Sequence, residues 1–277
     1  MKSLSRAPAF LMVSLLTLSL VACSAKKDAH APENEHAGEH ATEAHGGSPV
    51  SKWTYDGDTG PEHWAQLGGA STICGSGQRQ SPVDVVGQPK MQFSHMLLNY
   101  NSVTATIQNT GKTVRVMPAN GGDLELDGAK YALKSIEFHS PSEHAINGHH
   151  STLESQFVHV DDQGHTVIVA VLYDVGAADP MLGSLWTYLP SDPGQPVPLP
   201  DMLISAQALM PGTQDFYVYS GSLTTPPCSE EVTWMIYTSP LTVSAEQADA
   251  FQRLIGPNAR PLQARHDRDF FRMAGTN

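Results

Sequence analysis

One segment of the chain, residues 135–160, restricts the possible folds more than any other: SIEFHSPSEHAINGHHSTLESQFVHV. Both of its ends alternate between polar and apolar side chains, which is the period of a β-strand. Successive side chains of a strand point to opposite faces, so Ser135, Glu137 and His139 share one face and the apolar residues between them share the other. The first end therefore predicts a strand that is apolar on one side and rich in ionisable groups on the other.

The second end of the segment predicts a return strand. Glu154, Gln156 and Val158 share one of its faces. The midpoint between His139 and Gln156 falls on the Asn-Gly dipeptide at 147–148, which strongly favours a tight turn. We expect the two strands to lie side by side with their polar side chains converging. A metal or acid–base site and an exposed polar sheet rim are both compatible with this arrangement.

The rest of the chain from about residue 51 indicates short strands with few helices. Alternating segments occur at 102–108, 112–118 and 123–128. Residues 166–173, TVIVAVLY, are continuously apolar, as in a strand covered on both faces. Ser244 and Gln247 match a capping box that opens a helix. The sequence thus predicts one mainly β domain of the α+β class over residues 51–277.

The first residues are typical of an export signal. Lys2 and Arg6 precede an apolar run, residues 9–22, which is short for a membrane span and shaped like the core of a secretory signal. The run ends in Leu-Val-Ala-Cys, which resembles the lipobox of bacterial lipoproteins. We therefore predict a signal peptide at 1–22 and lipidation of Cys23. An ordinary signal peptide with a chance cysteine is the alternative.

Lipidation at Cys23 predicts where the protein is held. An acyl chain anchors a protein by burying methylene groups in the bilayer, so the only membrane contact would be through the lipid. We expect an exported bacterial lipoprotein at the periplasmic face of the outer membrane or at the cell surface.

Residues 23–50 predict a disordered tether, because after Cys23 they have almost no large apolar side chain to bury. They carry histidines among several acids, a composition that binds divalent metal weakly. These are His30, His36, His40 and His45. The segment is either a metal-gathering arm or a solvated spacer.

The cysteine content predicts a disulfide, and the net charge argues against two classes of binding partner. With Cys23 set aside, Cys74 and Cys228 form an even pair, and disulfides persist in exported proteins. A disulfide is expected, with two free buried thiols as the alternative. The chain has 16 Lys and Arg against 28 Asp and Glu, a formal net charge of −12. Such a balance argues against binding to nucleic acid or to anionic lipid.

Seven ordered segments carry a resemblance to a known family. They are WTYDGDTGPEHW, CGSGQRQSPVDV, NTGKTVRV, FHSPSEH, LESQFVHV, GSLTTPPCSEEVTWMIY and QARHDR. They look like the signature segments of bacterial α-class carbonic anhydrases. The resemblance implies a central, mostly antiparallel, twisted ten-stranded sheet with a few short peripheral helices. It also implies hydration of carbon dioxide at a zinc ion held by three histidines, where the metal lowers the pKa of a bound water to about 7.

The resemblance places Glu137, His139 and Gln156 at the three metal-ligand positions, so two of the three histidines are replaced. A carboxylate and an amide oxygen suit zinc less well than imidazoles. The added negative charge would also raise the pKa of a metal-bound water. Zinc, another divalent ion or no metal are the alternatives. Without an ion, we expect Glu137 to accept a hydrogen bond from His139 or from the Gln156 amide.

The partners of these positions are implied in the same way. Thr224 matches the threonine that orients the zinc-bound hydroxide, and Glu143 matches its acceptor. Glu154 and Ser135 stand where the family has partners of the ligand histidines, although relatives usually have glutamine at the second position. His144 matches a structural histidine. The histidines at 149, 150 and 159 are expected to be exposed or structural.

Further positions follow from the resemblance. Lys112 stands where the family has its proton-shuttle histidine, and an ordinary lysine titrates far from neutral pH. Tyr55 matches an active-site tyrosine. The implied substrate pocket is lined by Val158, Leu223, Thr224, Thr225 and Trp234. Cis peptide bonds are implied at Ser81-Pro82 and Pro226-Pro227.

Three functions follow as hypotheses. The first is a carbonic-anhydrase-like binding or scaffold protein of the cell envelope, with activity impaired or lost. The second is an active periplasmic carbonic anhydrase that uses the altered site, and a third is other metal-assisted hydrolysis such as ester cleavage. Carbon dioxide, bicarbonate or a small anion is the expected ligand, and the sequence specifies no protein partner.

Overall fold

The structure is a computed structural model that describes residues 52–87, 90–92 and 95–274. The described residues lie within one compact unit. The predicted signal peptide, the lipidation of Cys23 and the tether lie outside them. Among the helices described, none has the length and hydropathy needed to cross a membrane.

Eighteen strands and three α-helices are described. The first nine strands are β1 Asp84–Val85, β2 Lys90–Gln92, β3 Met96–Tyr100, β4 Ser102–Val103, β5 Ala105–Asn109, β6 Val114–Pro118, β7 Gly122–Leu126, β8 Ala129–His139 and β9 Ala145–Ile146. The others are β10 His149–His150, β11 Leu153–Val160, β12 Thr166–Val175, β13 Val197–Pro198, β14 Ile204–Ser205, β15 Asp215–Ser222, β16 Glu230–Tyr237, β17 Leu241–Val243 and β18 Phe271–Ala274. The helices are α1 Ile73–Ser76, α2 Pro180–Trp186 and α3 Ala245–Ile255, and there are four short 3-10 turns at Gly57–Thr59, Pro61–Leu67, Gly69–Thr72 and Ala206–Leu209.

The main sheet has a continuous path of ten strands, in the order β13-β5-β6-β8-β11-β12-β16-β15-β18-β2. Strands β3, β7 and β17 join beside this path and bring the sheet to 13 strands. Most neighbours are antiparallel, and the parallel pairs are β12 with β16, β12 with β17 and β18 with β2. The predicted mainly β fold with a large, mostly antiparallel central sheet is confirmed, and ten of the 13 described strands of the sheet form one continuous path.

The predicted strand pair lies in the middle of this sheet. Asn147 and Gly148 have φ of 51° and 77°, the left-handed region that an Asn-Gly turn uses. The chain then returns as β11, which pairs antiparallel with β8. Glu137 lies directly opposite Gln156, and the two polar faces lie side by side as predicted.

Apolar cores cover the sheet on both sides, which explains the continuously apolar β12. Val169 and Val171 belong to the larger core cluster, whereas Ile168 and Leu172 belong to a second cluster on the other face. All four are almost fully buried. The predicted double coverage of this strand is confirmed.

Local predictions at the periphery also hold. The Ser244 hydroxyl accepts from the backbone nitrogen of Gln247 at 3.2 Å, and the Gln247 side chain accepts from the backbone nitrogen of Ser244 at 3.1 Å. These two bonds form the capping box that opens α3. Cys74 and Cys228 form a disulfide with their Cα atoms 5.1 Å apart. Both expected cis bonds are present, and a third, Ser140-Pro141, was not predicted.

Candidate functional site

The site lies where β6, β8 and β11 run side by side. Arg115, Glu137 and Gln156 form one row across these strands, because Glu137 is the direct partner of both of the others. Residues on the opposite face of β8, such as Ile136, are fully buried in the larger core. The alternation read from the sequence therefore brings the candidate ligands together on one face.

His139 is held by the protein through one ring nitrogen. It is 1% exposed, and its Nδ1 donates to the carbonyl oxygen of Asn258 at 2.8 Å. The unprotonated nitrogen of the neutral ring is then Nε2. Burial lowers the pKa of His139, but Glu143, whose Oε1 lies 3.6 Å from Nδ1, and the Asn258 carbonyl more than offset it, so the pKa is raised.

Glu137 has different partners from those expected. Its Oε1 accepts from Arg115 Nε at 2.9 Å and from the Ser135 hydroxyl at 3.2 Å. The expectation that His139 or the Gln156 amide would be its donor is wrong. The reason is the sheet order, since β6 places a guanidinium directly opposite Glu137. Arg115 was not singled out from the sequence, although it belongs to the alternating segment 112–118.

Gln156 is bonded to two buried carboxylates. Its Nε2 donates to Glu143 Oε2 at 2.8 Å and to Glu154 Oε1 at 2.9 Å. Carboxylates only accept, so both amide hydrogens are used and the orientation of the amide is fixed. Glu154 is two positions from Gln156 in the sequence, whereas Glu143 is 13 positions away. Among the described residues, none donates a hydrogen bond to Gln156 Oε1.

Glu143 is consequently occupied on both oxygens. Oε2 accepts from Gln156, and Oε1 accepts from the backbone nitrogen of Arg260 at 3.0 Å. Within the described residues no hydrogen bond joins Glu143 to Thr224, the donor that the resemblance implies. Thr224 is 5% exposed and lies in the segment between β15 and β16.

A buried polar chain extends behind the site. Glu154 Oε1 accepts from His144 Nδ1 at 2.9 Å, and Oε2 accepts from the His144 backbone nitrogen at 2.9 Å. His144 Nε2 meets the Tyr219 hydroxyl at 2.7 Å, which in turn meets the Ser81 hydroxyl at 2.8 Å. Burial raises the pKa of Glu154, but His144 outweighs burial and brings it to about 2. His144 is fully buried within this chain of hydrogen bonds.

Tyr55 and Lys112 are two further residues that the resemblance places in the site. The hydroxyl of Tyr55 is buried and has no hydrogen-bond partner among the described residues. Burial, and then the negative charges of Glu143 and Glu137, raise the pKa of this hydroxyl well above the ordinary range. Lys112 is half-buried, and its Nζ lies 5.5 Å from the centre of the Trp53 ring, within cation–π range.

Two of the residues that the resemblance implies for the pocket wall pack against one core cluster. Val158 and Leu223 are partly exposed and pack against the core cluster that contains Trp234. Thr225 is partly exposed as well. Trp234 is fully buried, and its Nε1 donates to the Ser222 carbonyl, so it supports the wall from behind.

The other histidines lie away from this row. His149 and His150 are exposed at the turn, with His150 Nδ1 donating to the Ser142 carbonyl. His159 is fully buried on the other face, where its Nε2 meets the Tyr100 hydroxyl at 2.8 Å. They are exposed or structural, as expected.

The donor set does not match a three-histidine zinc site. In the described ranges, no group of three or more His, Cys, Asp or Glu side chains is arranged to hold a metal. His139 offers one imidazole nitrogen, Glu137 is paired with a guanidinium, and Gln156 offers a neutral amide oxygen. Zinc sites in proteins are built from imidazole, thiolate and carboxylate ligands.

The sequence of this chain matches one family profile and the sequences of several known proteins. The profile of a family described as eukaryotic-type carbonic anhydrase matches residues 59–273. A carbonic anhydrase of Pectobacterium atrosepticum is 38% identical over 214 residues, which covers 76% of this chain and 86% of the relative. A carbonic anhydrase of Neisseria gonorrhoeae is 35% identical over 222 residues, or 79% of this chain and 86% of the relative.

Solved protein structures also resemble the structure of this chain. The α-carbonic anhydrase of Thermovibrio ammonificans, in complex with the inhibitor sulfanilamide, has a TM-score of 0.77 at 37% identity and covers 79% of this chain and 98% of that one. Dioscorin in complex with ascorbate has a TM-score of 0.73 at 30% identity and covers 82% of this chain and 100% of that one.

Proposed function

The chain belongs to the eukaryotic-type carbonic anhydrase family, and from that premise we propose that it is a ligand-binding member whose zinc-dependent activity is impaired or lost. One observation carries this proposal: Arg115 Nε donates to Glu137 at 2.9 Å, at a position where the resemblance implies a zinc ligand. A guanidinium is permanently charged and lacks a lone pair for a metal. The protein itself supplies the cation that balances this carboxylate.

The remaining contacts support the same proposal. A divalent ion at these positions would have to compete with Arg115 for Glu137 and lie beside its positive charge. Gln156 would offer only its neutral oxygen, since its nitrogen is bonded to Glu143 and Glu154. A carboxylate ligand would also make metal-bound hydroxide scarcer at neutral pH than three imidazoles do.

Ligand binding is supported by partly exposed side chains of the implied pocket wall and by one relative. These side chains are Val158, Leu223 and Thr225. Dioscorin, a structural relative at 30% identity, has been solved in complex with ascorbate. We therefore extend to this chain the idea that the fold can hold a small organic molecule.

A second candidate is an active carbonic anhydrase with an altered metal site. The observation that favours it is the bond from His139 Nδ1 to the Asn258 carbonyl, because it leaves Nε2 as the nitrogen available to a metal. Glu143 and Glu154 are also retained and buried. These features would serve a divalent ion if one displaced Arg115 from Glu137.

Metal analysis and carbon dioxide hydration separate the two candidates. The full-length protein is dialysed against zinc buffer, its bound metals are quantified by elemental analysis, and hydration is followed by stopped flow. After a further dialysis against metal-free buffer, which removes zinc held weakly by the histidines of residues 23–50, the proposal expects far less than one zinc per chain and hydration near the buffer rate. Stoichiometric zinc with rapid hydration would establish the second candidate instead. The chelated protein serves as the baseline for both measurements.

The envelope location is part of the proposal and is supported by the sequence of residues 1–23. Replacing Cys23 by serine should move the protein from the membrane fraction to the soluble fraction. Protease treatment of intact cells then distinguishes the cell surface from the periplasmic face. Membrane association that survives Cys23→Ser would overturn the lipid anchor.

A further inference from the structure

A cavity of about 670 Å³ lies toward the β2 end of the main sheet, and Arg115, Glu137 and Gln156 do not line it. Its floor belongs to β15, β16 and β18. In the sheet order, β15 is three places from β11, which is on the order of 15 Å because neighbouring strands are roughly 5 Å apart. The cavity has the size of a small-molecule site and is separate from the candidate functional site.

Four side chains on one face of these strands form the floor of the cavity. Val218 on β15 is the direct partner of Phe271 on β18, and both are partly exposed. Ser220 on β15 is the direct partner of Thr233 on β16. Val218 and Ser220 are two positions apart on one strand, so they share a face at a separation of roughly 7 Å. The floor therefore has an apolar half and, beside it, a half with two hydroxyl groups.

A guanidinium is fixed beside the hydroxyl half of the floor. Arg268 Nη1 donates to the backbone carbonyl oxygen of Ser220 at 3.2 Å. Its Nη2 donates to the Ala264 carbonyl at 2.7 Å, and its Nε donates to the Arg265 carbonyl at 2.9 Å. Each terminal nitrogen carries a second hydrogen, so Arg268 can donate into the cavity without losing these bonds. A donor that is already held in place loses little conformational freedom when a ligand binds.

The charged side chains around the cavity leave a positive excess. Arg79 also lines it and is exposed, and neither Arg79 nor Arg268 forms a salt bridge with a carboxylate of the described residues. Two carboxylates of the described residues line the cavity. Asp269 is paired with Lys90 at 2.8 Å, so Asp267 alone opposes the two guanidiniums. On a chain whose formal net charge is −12, this local excess favours an anionic ligand.

We propose that this cavity binds a small organic anion with a ring-sized apolar body. The charged head lies on Arg268, Arg79 and the two hydroxyl groups, because guanidinium donors match the oxygens of a carboxylate or a phosphate ester. The body covers the partly exposed Val218 and Phe271 and removes apolar surface from water. The roughly 7 Å between the two halves of the floor suits the length of such a molecule. This second site does not depend on the proposed function.

Four probes separate the contribution of the head from that of the body. The full-length protein, freed of metal by chelator and dialysis, is titrated by calorimetry at neutral pH and low salt with benzoate, phenyl phosphate, acetate and benzyl alcohol. Acetate has the head of benzoate without the ring, and benzyl alcohol has the ring without the charge. We expect benzoate or phenyl phosphate to bind roughly tenfold more tightly than acetate and benzyl alcohol. The tighter of the two identifies the head.

Charge variants of opposite sign locate the site. Arg79→Gln should weaken binding of the tighter anion roughly fivefold, whereas Asp267→Asn should tighten it about threefold because it removes the opposing charge. Arg253→Gln removes an exposed charge on α3, outside the cavity, and is the matched control for Arg79→Gln. Thr233→Val removes a hydroxyl group and should weaken binding several-fold. It provides a second test if the Arg79 variant is unstable.

Several results would overturn this inference. They are equal affinity for acetate or benzyl alcohol, no binding of either larger anion, unchanged affinity in both Arg79→Gln and Thr233→Val, and weaker binding to Asp267→Asn. Arg115→Gln distinguishes the two sites, because the anion should bind this variant as tightly as the unchanged protein. A loss of affinity there would place the anion beside Glu137 instead. Since no readout depends on bound zinc, the proposed function is tested separately.

Discussion

Arg115 Nε lies 2.9 Å from Glu137 Oε1, and the two residues are direct partners on the neighbouring strands β6 and β8. The cation at this point of the sheet therefore comes from the chain itself. The side chains are 41% and 19% exposed, so solvent screens the pair only in part. Stability and metal affinity should both respond when this pair is changed.

Arg115→Gln should lower the free energy of unfolding by about 1 kcal/mol, because Glu137 loses its charged donor while solvent still reaches the pair. Urea denaturation at neutral pH measures the change. Arg79→Gln removes the same charge from an exposed site and should change stability by less than about 0.5 kcal/mol. Equal effects of the two variants would show that the pair contributes nothing specific.

Building a three-histidine zinc site should require three substitutions. Glu137→His with Gln156→His supplies two imidazoles beside His139, but it leaves Arg115 without its carboxylate and next to the metal position. Adding Arg115→Gln removes that repulsion. We expect the triple variant to bind zinc at least tenfold more tightly than the double variant, measured by competition with a chromogenic chelator.

The control for this comparison places the same residue types elsewhere. Gln78→His with Glu246→His, on two exposed residues far apart in sequence, should bind no more zinc than the unchanged protein. Identical affinities of the double and triple variants would show that Arg115 does not oppose the metal.

Much of this arrangement was predictable because it depends on local rules. Alternation fixed which side chains of β8 share a face, and the Asn-Gly turn at 147–148 fixed their pairing with β11. The disulfide between Cys74 and Cys228 followed from an even cysteine count in a chain that is predicted to be exported. The strand faces and the turn depend on residues that are close in sequence, and the disulfide pair depends on the number of cysteines.

The hydrogen-bond partners of Glu137 could not be predicted from these local rules. Alternation shows that Arg115 belongs to a strand but not which strand lies beside it, and the order β6, β8, β11 is a property of the whole sheet. The bond from His139 to Asn258 joins residues 119 positions apart. Both contacts depend on long-range packing, which local periodicity does not encode.

Gln156→Leu should destabilise the protein by about 2–4 kcal/mol, because Glu143 and Glu154 are fully buried and would lose the donor they share. Gln156→His retains an N–H that can reach one carboxylate and should cost less. Chemical denaturation of both variants, with the exposed Gln78→Leu as control, measures the difference. A Leu variant within 0.5 kcal/mol of the unchanged protein would contradict the role of Gln156 as a shared donor.

The lowered pKa of the buried His159 predicts that the protein loses stability in mild acid. Burial lowers its pKa to about 4, below the ordinary value of 6.5. The unfolded chain therefore takes up a proton between these values that the folded protein resists, so the free energy of unfolding falls as the pH drops from 6.5 toward 4. The change is on the order of 3 kcal/mol at most. His159→Gln should remove this window in urea titrations at several pH values, whereas the exposed His149→Gln should keep it.

The lowered pKa of Glu154 predicts a second, more acidic pH range in which the protein loses stability. Although burial raises its pKa, the adjacent His144 brings it to about 2, below the ordinary value of 4.5. Its stabilising contribution is complete above pH 4.5 and is lost as the pH falls from 4.5 toward 2, because the unfolded carboxylate protonates first. Glu154→Gln should be less stable at neutral pH and should lose less stability between pH 4.5 and 3, measured by urea denaturation at each pH. Glu62→Gln, at an exposed acid, should retain the full loss. If Glu154→Gln retains it as well, the acid sensitivity arises from another carboxylate, and the buried chain from Gln156 to Tyr219 does not depend on the charge of Glu154.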